Sequence, residues 1–281
     1  MKVIVWNMRF RSSPANWLKF ARDGDYRCDV ALLNEAKRPP DGLGLQVMTR
    51  GETVGRDHPS YGGKKPRDWS TAVATPHTVQ RPRDVWALPP SEVDPNADRR
   101  SKLMVSRRGS WTAGVVALPS GERITAISLY GLLDERSDAS VHRSLSDLTP
   151  LLEDGRYNEH LLLGGDLNPL WSVGRTTRTF ERVQGVVDRI TRGFGLEDLL
   201  LKTLTKKDPE RGRLKTCTCS LGADCRHVWT YRKSRSSKKG CQDDYLFASQ
   251  ALAERLGECL AHPFSDTSSS DHVPIEATFE D

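Results

Sequence analysis

The stretch Asp29-Val30-Ala31-Leu32-Leu33-Asn34-Glu35 constrains this chain more than any other. Four consecutive apolar residues leave no position for water, so a strand made of them must be buried on both faces. The run then ends on an amide and an acid. The same design recurs elsewhere. Lys2 to Trp6 is a β-rich apolar run entering a turn at Asn7. Residues 160–165 form an apolar run closed by Gly164-Gly165 just before Asp166. Ser270-Asp271-His272 stands at the turn before a last strand, 273–279. Central strands with polar tips require sheets that are covered on both sides.

Further strands are expected at 71–74, 104–105, 113–118, 123–130 and 244–248. Helices are expected in the connections. Ser13-Pro14 gives an N-cap followed by proline at the first helical position, which predicts a helix to about Arg22. Residues 137–152 carry leucines at 145, 148, 151 and 152 as one apolar stripe, with Pro150 a local weakness. A helix over 177–193 buries Val183, Val186, Val187 and Ile190 and stops at Gly193, and another lies near 249–257. Residues 38–68 read as mostly loop and 89–101 as a mobile excursion. Many strands with helices between them favour two packed sheets with helices on the outer faces. No repeat at solenoid periods is present.

With 281 residues and 37% apolar content, the chain can bury ample core. No run of about 18 apolar residues is present, which excludes a spanning helix. The first residues lack the long apolar region and small-residue cleavage site of a signal peptide, so the cytoplasm is the expected location and a monomer the expected state. A net charge of +5 and a pI near 8.9 are compatible with a polyanionic partner and do not by themselves require one.

A lone buried carboxylate is costly, so carboxylates that stay ionised beside a core meet a cation or a metal. Glu35, Asp166 and Asp271 together would make hard, oxygen-rich ligation, suited to Mg²⁺ or Mn²⁺ rather than zinc.

The motifs Trp6-Asn7, Asn34-Glu35, Leu129-Tyr130-Gly131, Gly165-Asp166-Leu167-Asn168, Asp243-Asp244-Tyr245-Leu246-Phe247 and Ser270-Asp271-His272, in that order, resemble the endonuclease/exonuclease/phosphatase superfamily. That DNase I-like and exonuclease III-like group also includes inositol phosphatases and sphingomyelinases. The resemblance runs from Val3 to Phe279. It implies an α+β, four-layer αββα sandwich, with two mainly antiparallel sheets face to face in a single domain over 1–281. It also implies roles. Glu35 is the principal Mg²⁺ (or Mn²⁺) ligand, with Asn7 beside it and Asp271 reaching metal directly or through water. Asp166 activates the attacking water and Asn168 orients it. His272 grips a phosphate oxygen, Asp244 fixes its tautomer, and Tyr130 contacts phosphate. Asp243 and Asp244 are neighbours on a strand, so only one faces the site, and alignment on the Asp-Tyr pair selects Asp244.

The sequence departs from the family pattern at Asn34, where glutamine is usual, and after Tyr130, where Pro-Asn is missing. Arg9 stands where repair nucleases carry an acid. These departures leave the chemistry in place and bear on the substrate.

A Cys-rich basic insertion spans about 203–241. Cys217, Cys219, Cys225 and His227 could hold one structural Zn²⁺, although the spacing is not the usual paired one. Buried thiols that pack a loop, or His227 at the substrate cleft, are the other readings. Arg232, Lys233, Arg235, Lys238 and Lys239 form a basic loop just before Asp244 that could track a phosphate backbone, or could simply be solvated. Trp69, Trp171 and Trp229 could stack on bases or fill core.

The expected function is a Mg²⁺-dependent nuclease acting on DNA, with RNA as a second candidate. Its rivals are a phosphatase or phosphodiesterase on inositol phosphates or lipid headgroups, and a non-catalytic nucleic-acid-binding module.

Overall fold

The computed structural model describes every residue except 11, 22–23, 50–67, 83–85, 89–101, 105–108, 133–136, 170–176, 208–226, 235–236, 238–239, 266–268 and 281. The expected loop over 38–68 therefore lies partly, and the excursion at 89–101 wholly, outside the described residues. Among those described, the strands are β1 Lys2–Asn7, β2 Val30–Ala36, β3 Gln46–Met48, β4 Ser70–Thr75, β5 Thr78–Gln80, β6 Trp86–Leu88, β7 Lys102–Met104, β8 Trp111–Ala117, β9 Arg123–Leu129, β10 Leu161–Asp166, β11 Glu197–Asp198, β12 Asp244–Ala248, β13 Leu256–Ala261 and β14 Ile275–Phe279. The helices are α1 Ser13–Trp17, α2 Ser137–Leu152, α3 Gly155–Asn158, α4 Thr177–Asp188, α5 Leu199–Lys207 and α6 Gln250–Glu254.

Two six-stranded sheets result, ordered β13-β14-β1-β2-β4-β3 and β11-β12-β10-β9-β8-β5, beside a small β6-β7 pair. Within the two large sheets, pairing is antiparallel except β1 with β2 and β9 with β10. The four layers follow from strand alternation. Val3, Val5 and Leu32 of the first sheet share a core with Ile124, Ala126, Leu162 and Leu246 of the second. The outward residues Ile4, Trp6 and Leu33 are covered by Trp17, Phe20 and Tyr26. Ile127, Leu129, Leu163 and Phe247 are covered by Val141, Leu145 and Leu148 of α2 and by Val186 and Ile190. This is the sandwich that the motifs implied.

Some boundaries differ from expectation. The first helix becomes a 3-10 turn at Leu18–Phe20, and the chain folds back as Tyr26 N–H donates to the Lys19 carbonyl at 2.8 Å. That return packs Tyr26 edge-on against Trp6, with ring centroids 5.4 Å apart. α2 runs through Pro150 to Leu152, because a proline in the last turn forfeits a single helical bond. The helix expected at 249–257 ends at Glu254, since Leu256 onward pairs with β14. α4 gives way to a π-helical turn, Arg189–Gly193. β11 and α5 were not anticipated. None of the described helices is long and apolar enough to cross a membrane.

Candidate active site

Alternation also builds the site. Inward positions on β1, β2, β10 and β12 carry Val3 and Val5, Leu32, Leu162, and Leu246 and Ala248. Continuing the same phase to one rim reaches Asn7, Asn34, Asp166 and Asp244. All four are buried. Asn34 braces the sheets: its Nδ2 donates to Ser128 Oγ and to the Leu129 carbonyl, each at 3.2 Å. Its Oδ1 accepts from Asp166 N–H at 2.6 Å. The close approach requires glycine. A Cβ on Gly165 (φ +144°) would sit 2.0 Å from the Leu129 carbonyl oxygen, and one on Gly164 would sit 2.8 Å from a Val5 methyl.

Asn7 is the hub. Its Nδ2 donates to Asp166 Oδ2 at 2.8 Å and reaches Glu35 Oε1 at 3.4 Å, while its Oδ1 accepts from Arg9 N–H at 2.9 Å. Glu35 lies where the β2–β4 register shifts and has φ +49°, outside the usual range for a side-chain-bearing residue. That kink is held by Phe10 N–H donating to Glu35 Oε2 at 3.2 Å and by the Tyr130 hydroxyl donating to Oε1 at 3.3 Å. Tyr130 rests edge-on against buried Trp69, with centroids 5.1 Å apart, so Trp69 supports the site from behind.

Asn168 also has positive φ, +50°, and its Nδ2 donates to the Gly131 carbonyl at 2.7 Å. Its backbone N–H donates to Asp166 Oδ1 at 2.9 Å. The loop bearing His272 is fastened to β1: Ser270 Oγ donates to the Asn7 carbonyl at 2.9 Å, and Trp6 Nε1 donates to the His272 carbonyl at 3.1 Å.

His272 lies between two carboxylates, with Nδ1 at 2.8 Å from Asp244 Oδ2 and Nε2 at 3.8 Å from Asp166 Oδ2. Burial pushes its pKa down, but the charges of Asp244 and Asp166 outweigh burial and hold the imidazole well above its ordinary value. Both carboxylates therefore favour the protonated form of the imidazole. Asp166 is pushed the other way: burial raises its carboxyl well above the usual range, His272 opposes that, and Asp244 and Asp243 add to it. Asp244 N–H is held by Thr230 Oγ1 at 3.0 Å.

Asp271 does not join the inner group; its Oδ1 faces Arg9 Nε at 3.8 Å. The described carboxylates and imidazole whose ligand atoms lie within 4.8 Å of one another are Asp166, Asp244 and His272, without Glu35 or Asp271. Both imidazole nitrogens face carboxylates, and the three side chains together form a group that could hold a metal ion. Asp243 is buried and accepts from Cys241 Sγ at 3.4 Å. Alternation does not take its charge away from the site, since it still acts on Asp166.

Five acids (Glu35, Asp166, Asp243, Asp244 and Asp271) thus share this rim with the cations His272 and Arg9. Asp244 Oδ1 is buried with no hydrogen-bond partner among the described residues. An excess of oxygen anions of this kind fits a hard divalent cation.

The Arg232 guanidinium lies 4.8 Å over Trp229 and 4.2 Å over Phe264, its Nε has no hydrogen-bond partner among the described residues, and its backbone N–H donates to the Asp271 carbonyl. Lys233 is exposed, while Arg235, Lys238 and Lys239 lie outside the described residues, as does Trp171. Cys217, Cys219 and Cys225 lie outside them too. His227 is buried, and its charge acts on Asp198, which burial raises to about 6. Sequence reasoning gave no role to Asn34, Ser128, Thr230 or Ser270, and of its two readings of Trp69 the structure shows the buried one. The phase of alternation was the available signal for Asn34 and Ser128.

No family model and no curated protein sequence matches the chain. Solved structures do. The Neisseria 3′ phosphatase NExo, bound to product DNA hairpin, aligns with TM-score 0.59 at 18% identity, over 100% of this chain and 99% of that one. An AP endonuclease from Archaeoglobus fulgidus aligns with TM-score 0.56 at 17% identity, over 100% and 99%. An endonuclease/exonuclease/phosphatase family protein from Leptotrichia buccalis gives 0.55 at 14%, over 100% and 99%. Identities this low speak to architecture, and on architecture they agree: the chain has the endonuclease/exonuclease/phosphatase fold, that of the superfamily its motifs resemble.

Proposed function

We propose that this chain is a divalent-cation-assisted phosphodiester hydrolase acting on DNA, with RNA as a second polymer to test. The observation that carries the reading is the Asp244–His272–Asp166 line, with Asn7 joining Asp166 to Glu35. That line would bring a proton donor and a proton acceptor together at a single point. Glu35, with Asn7 and Asp166 beside it, would hold Mg²⁺ or Mn²⁺, which supplies a Lewis acid for phosphoryl oxygens.

The protein groups divide the remaining work. Asp166, its basicity raised by burial, takes the proton of the attacking water. His272, cationic and held by Asp244, donates to a phosphoryl oxygen as charge builds there. Tyr130 is tied to Glu35 and contacts phosphate from that side. Asn168 lines the same loop, and Asp271 with Arg9 forms its outer edge. The similar structures include AP endonucleases and an enzyme bound to product DNA, which supports a DNA substrate. Arg232, Lys233, Arg235, Lys238 and Lys239 would contact the strand, Cys217, Cys219, Cys225 and His227 would bind one Zn²⁺, and the protein would act as a monomer.

A phosphomonoesterase is the second reading, because NExo is described as a 3′ phosphatase in one similar structure and as a 3′–5′ exonuclease in another. The test is one panel of single-stranded, duplex and abasic DNA, 3′-phosphorylated DNA, RNA and inositol phosphates, with Mg²⁺ and with excess chelator. Cation-dependent cleavage of a polynucleotide is expected. Turnover of inositol phosphates alone, or cleavage that survives the chelator, overturns the reading.

A further inference from the structure

Tyr231 lies on the segment leading to Asp244 and is absent from the site assembled above. Its backbone is fixed from two sides. It bridges to Cys241 on one side and to His272 on the other. Tyr231 N–H donates to the Cys241 carbonyl at 3.0 Å, and Cys241 N–H returns the bond at 3.1 Å. On either flank, Arg232 N–H donates to the Asp271 carbonyl at 2.9 Å and Val273 N–H donates to the Thr230 carbonyl at 2.8 Å. Four backbone bonds leave the residue little freedom to shift.

The side chain goes to the same place as the backbone. The Tyr231 ring centroid is 4.8 Å from that of His272, tilted 44°. A ring at that distance packs against the imidazole and limits how it can turn. The ring is half-buried, and its hydroxyl has no hydrogen-bond partner among the described residues. The hydroxyl is not itself among the buried atoms lacking a partner, and an open hydroxyl on a ring packed against His272 is available for something that arrives. The phenol also stays protonated: burial, then the charges of Asp271 and Asp243, push it up to about 12. A neutral donor is what an anion can accept from in a pocket already crowded with carboxylates.

We propose that Tyr231 contacts the substrate, its hydroxyl donating a hydrogen bond to a phosphate oxygen beside the one His272 serves, while its ring holds the imidazolium in place. The phosphate would then be gripped from opposite sides, by Tyr130 near Glu35 and by Tyr231 near His272. This assignment rests on the phosphodiester reading and adds to it a second phenolic contact that acts by hydrogen bonding and transfers no proton.

Y231F separates the two parts, because it keeps the ring and removes only the hydroxyl. On the polynucleotide that wild type cleaves, with Mg²⁺, Y231F should lose about tenfold in kcat/KM. Its thermal midpoint should stay in place. Y231L should lose more, since the imidazole also loses the ring packed against it. A wild type that cleaves while Y231F matches it in kcat and KM overturns this assignment alone. A wild type that cleaves no phosphodiester overturns the phosphodiester reading, and this assignment with it. An equal loss in Y231F and Y231L, with both thermal midpoints lowered, would make the residue merely structural and also overturn the assignment.

Discussion

At the rim of the sandwich where β2 and β9 begin, acids are matched with cations one by one. Asp29 accepts from His77 Nε2 at 2.9 Å and from Lys2 N–H at 2.7 Å. Glu122 takes Arg255 at 2.6 Å and His160 at 3.1 Å. At the opposite rim, where the same strands end, Glu35, Asp166, Asp243, Asp244 and Asp271 crowd around one buried imidazole. The carboxyl groups record the difference. Arg255 holds Glu122 below its usual range, and His77 does the same for Asp29 against the pull of burial. Asp166, on the other rim, is raised. Acids that only stabilise a fold are placed where their charge is welcome. A rim that keeps its acids at a cost to the fold is where chemistry is expected.

The comparison is sharpened most by exchanging one acid on each rim. E35Q and D166N keep side-chain shape and should lower the cleavage rate by about 10³-fold while leaving the fold intact. D29N should leave the rate within about twofold, since it lies at the far end of β2 from Glu35. Steady-state kinetics on a single oligonucleotide substrate, with circular dichroism as the fold check, reads all three. An active E35Q would remove the candidate site from this rim.

A smaller effect tests whether the crowded acids act through the imidazole. In D244N the amide no longer balances burial, so the His272 pKa should fall, and the rate should drop about 10–100-fold. Following the imidazole proton signals by NMR over pH 5–9 measures the first effect directly. If the midpoint is the same in wild type and D244N, Asp244 is not what holds His272 charged.

Much of the crowded rim is legible in the sequence because its residues are local to strand ends. A run such as Val30 to Leu33 announces a central strand, and the next residues, Asn34 and Glu35, must then lie at its tip. Matching the inward phase of each strand would have added Asn34 and Ser128, whose bond joins the sheets at 3.2 Å. Glu35 escapes that logic: the register shift and its positive φ re-aim it, and neither is written in the motif. The far rim was not read at all. Its pairs span 48 residues for Asp29–His77 and 133 for Glu122–Arg255, with nothing local to flag them. β13 was missed for a related reason. Leu256 to Ala261 has no two-residue alternation in its burial, and pairing with β14 makes it a strand.

The smallest effect is in the pH dependence of stability, where the two rims should pull in opposite directions. Asp29 and Glu122 have depressed folded-state pKa values. Their contribution is present above their unfolded values near 4 and is lost as pH falls through the lower folded ones. D29N and E122Q should therefore match wild type near pH 3 and fall behind it by about 1 kcal/mol at pH 7, the partial exposure of both pairs limiting the size. Asp166 has a raised folded-state pKa, so its charge costs stability as pH climbs above its unfolded value. D166N should match wild type at low pH and overtake it toward neutrality, once Asp166 would otherwise ionise. His272 sets a limit on that gain. Its own contribution is fully present below about 6.5 and is lost only as pH rises through its raised folded value. Part of that contribution depends on the Asp166 charge, so removing the acid also weakens the imidazolium. Urea unfolding at pH 3, 5 and 7 resolves the outcome. Curves that diverge in opposite senses mean the acids of the two rims differ in kind. Curves that fall together for all three variants mean Asp166 is one more structural acid, satisfied by Asn7 and His272, and the contrast between the rims fails with it.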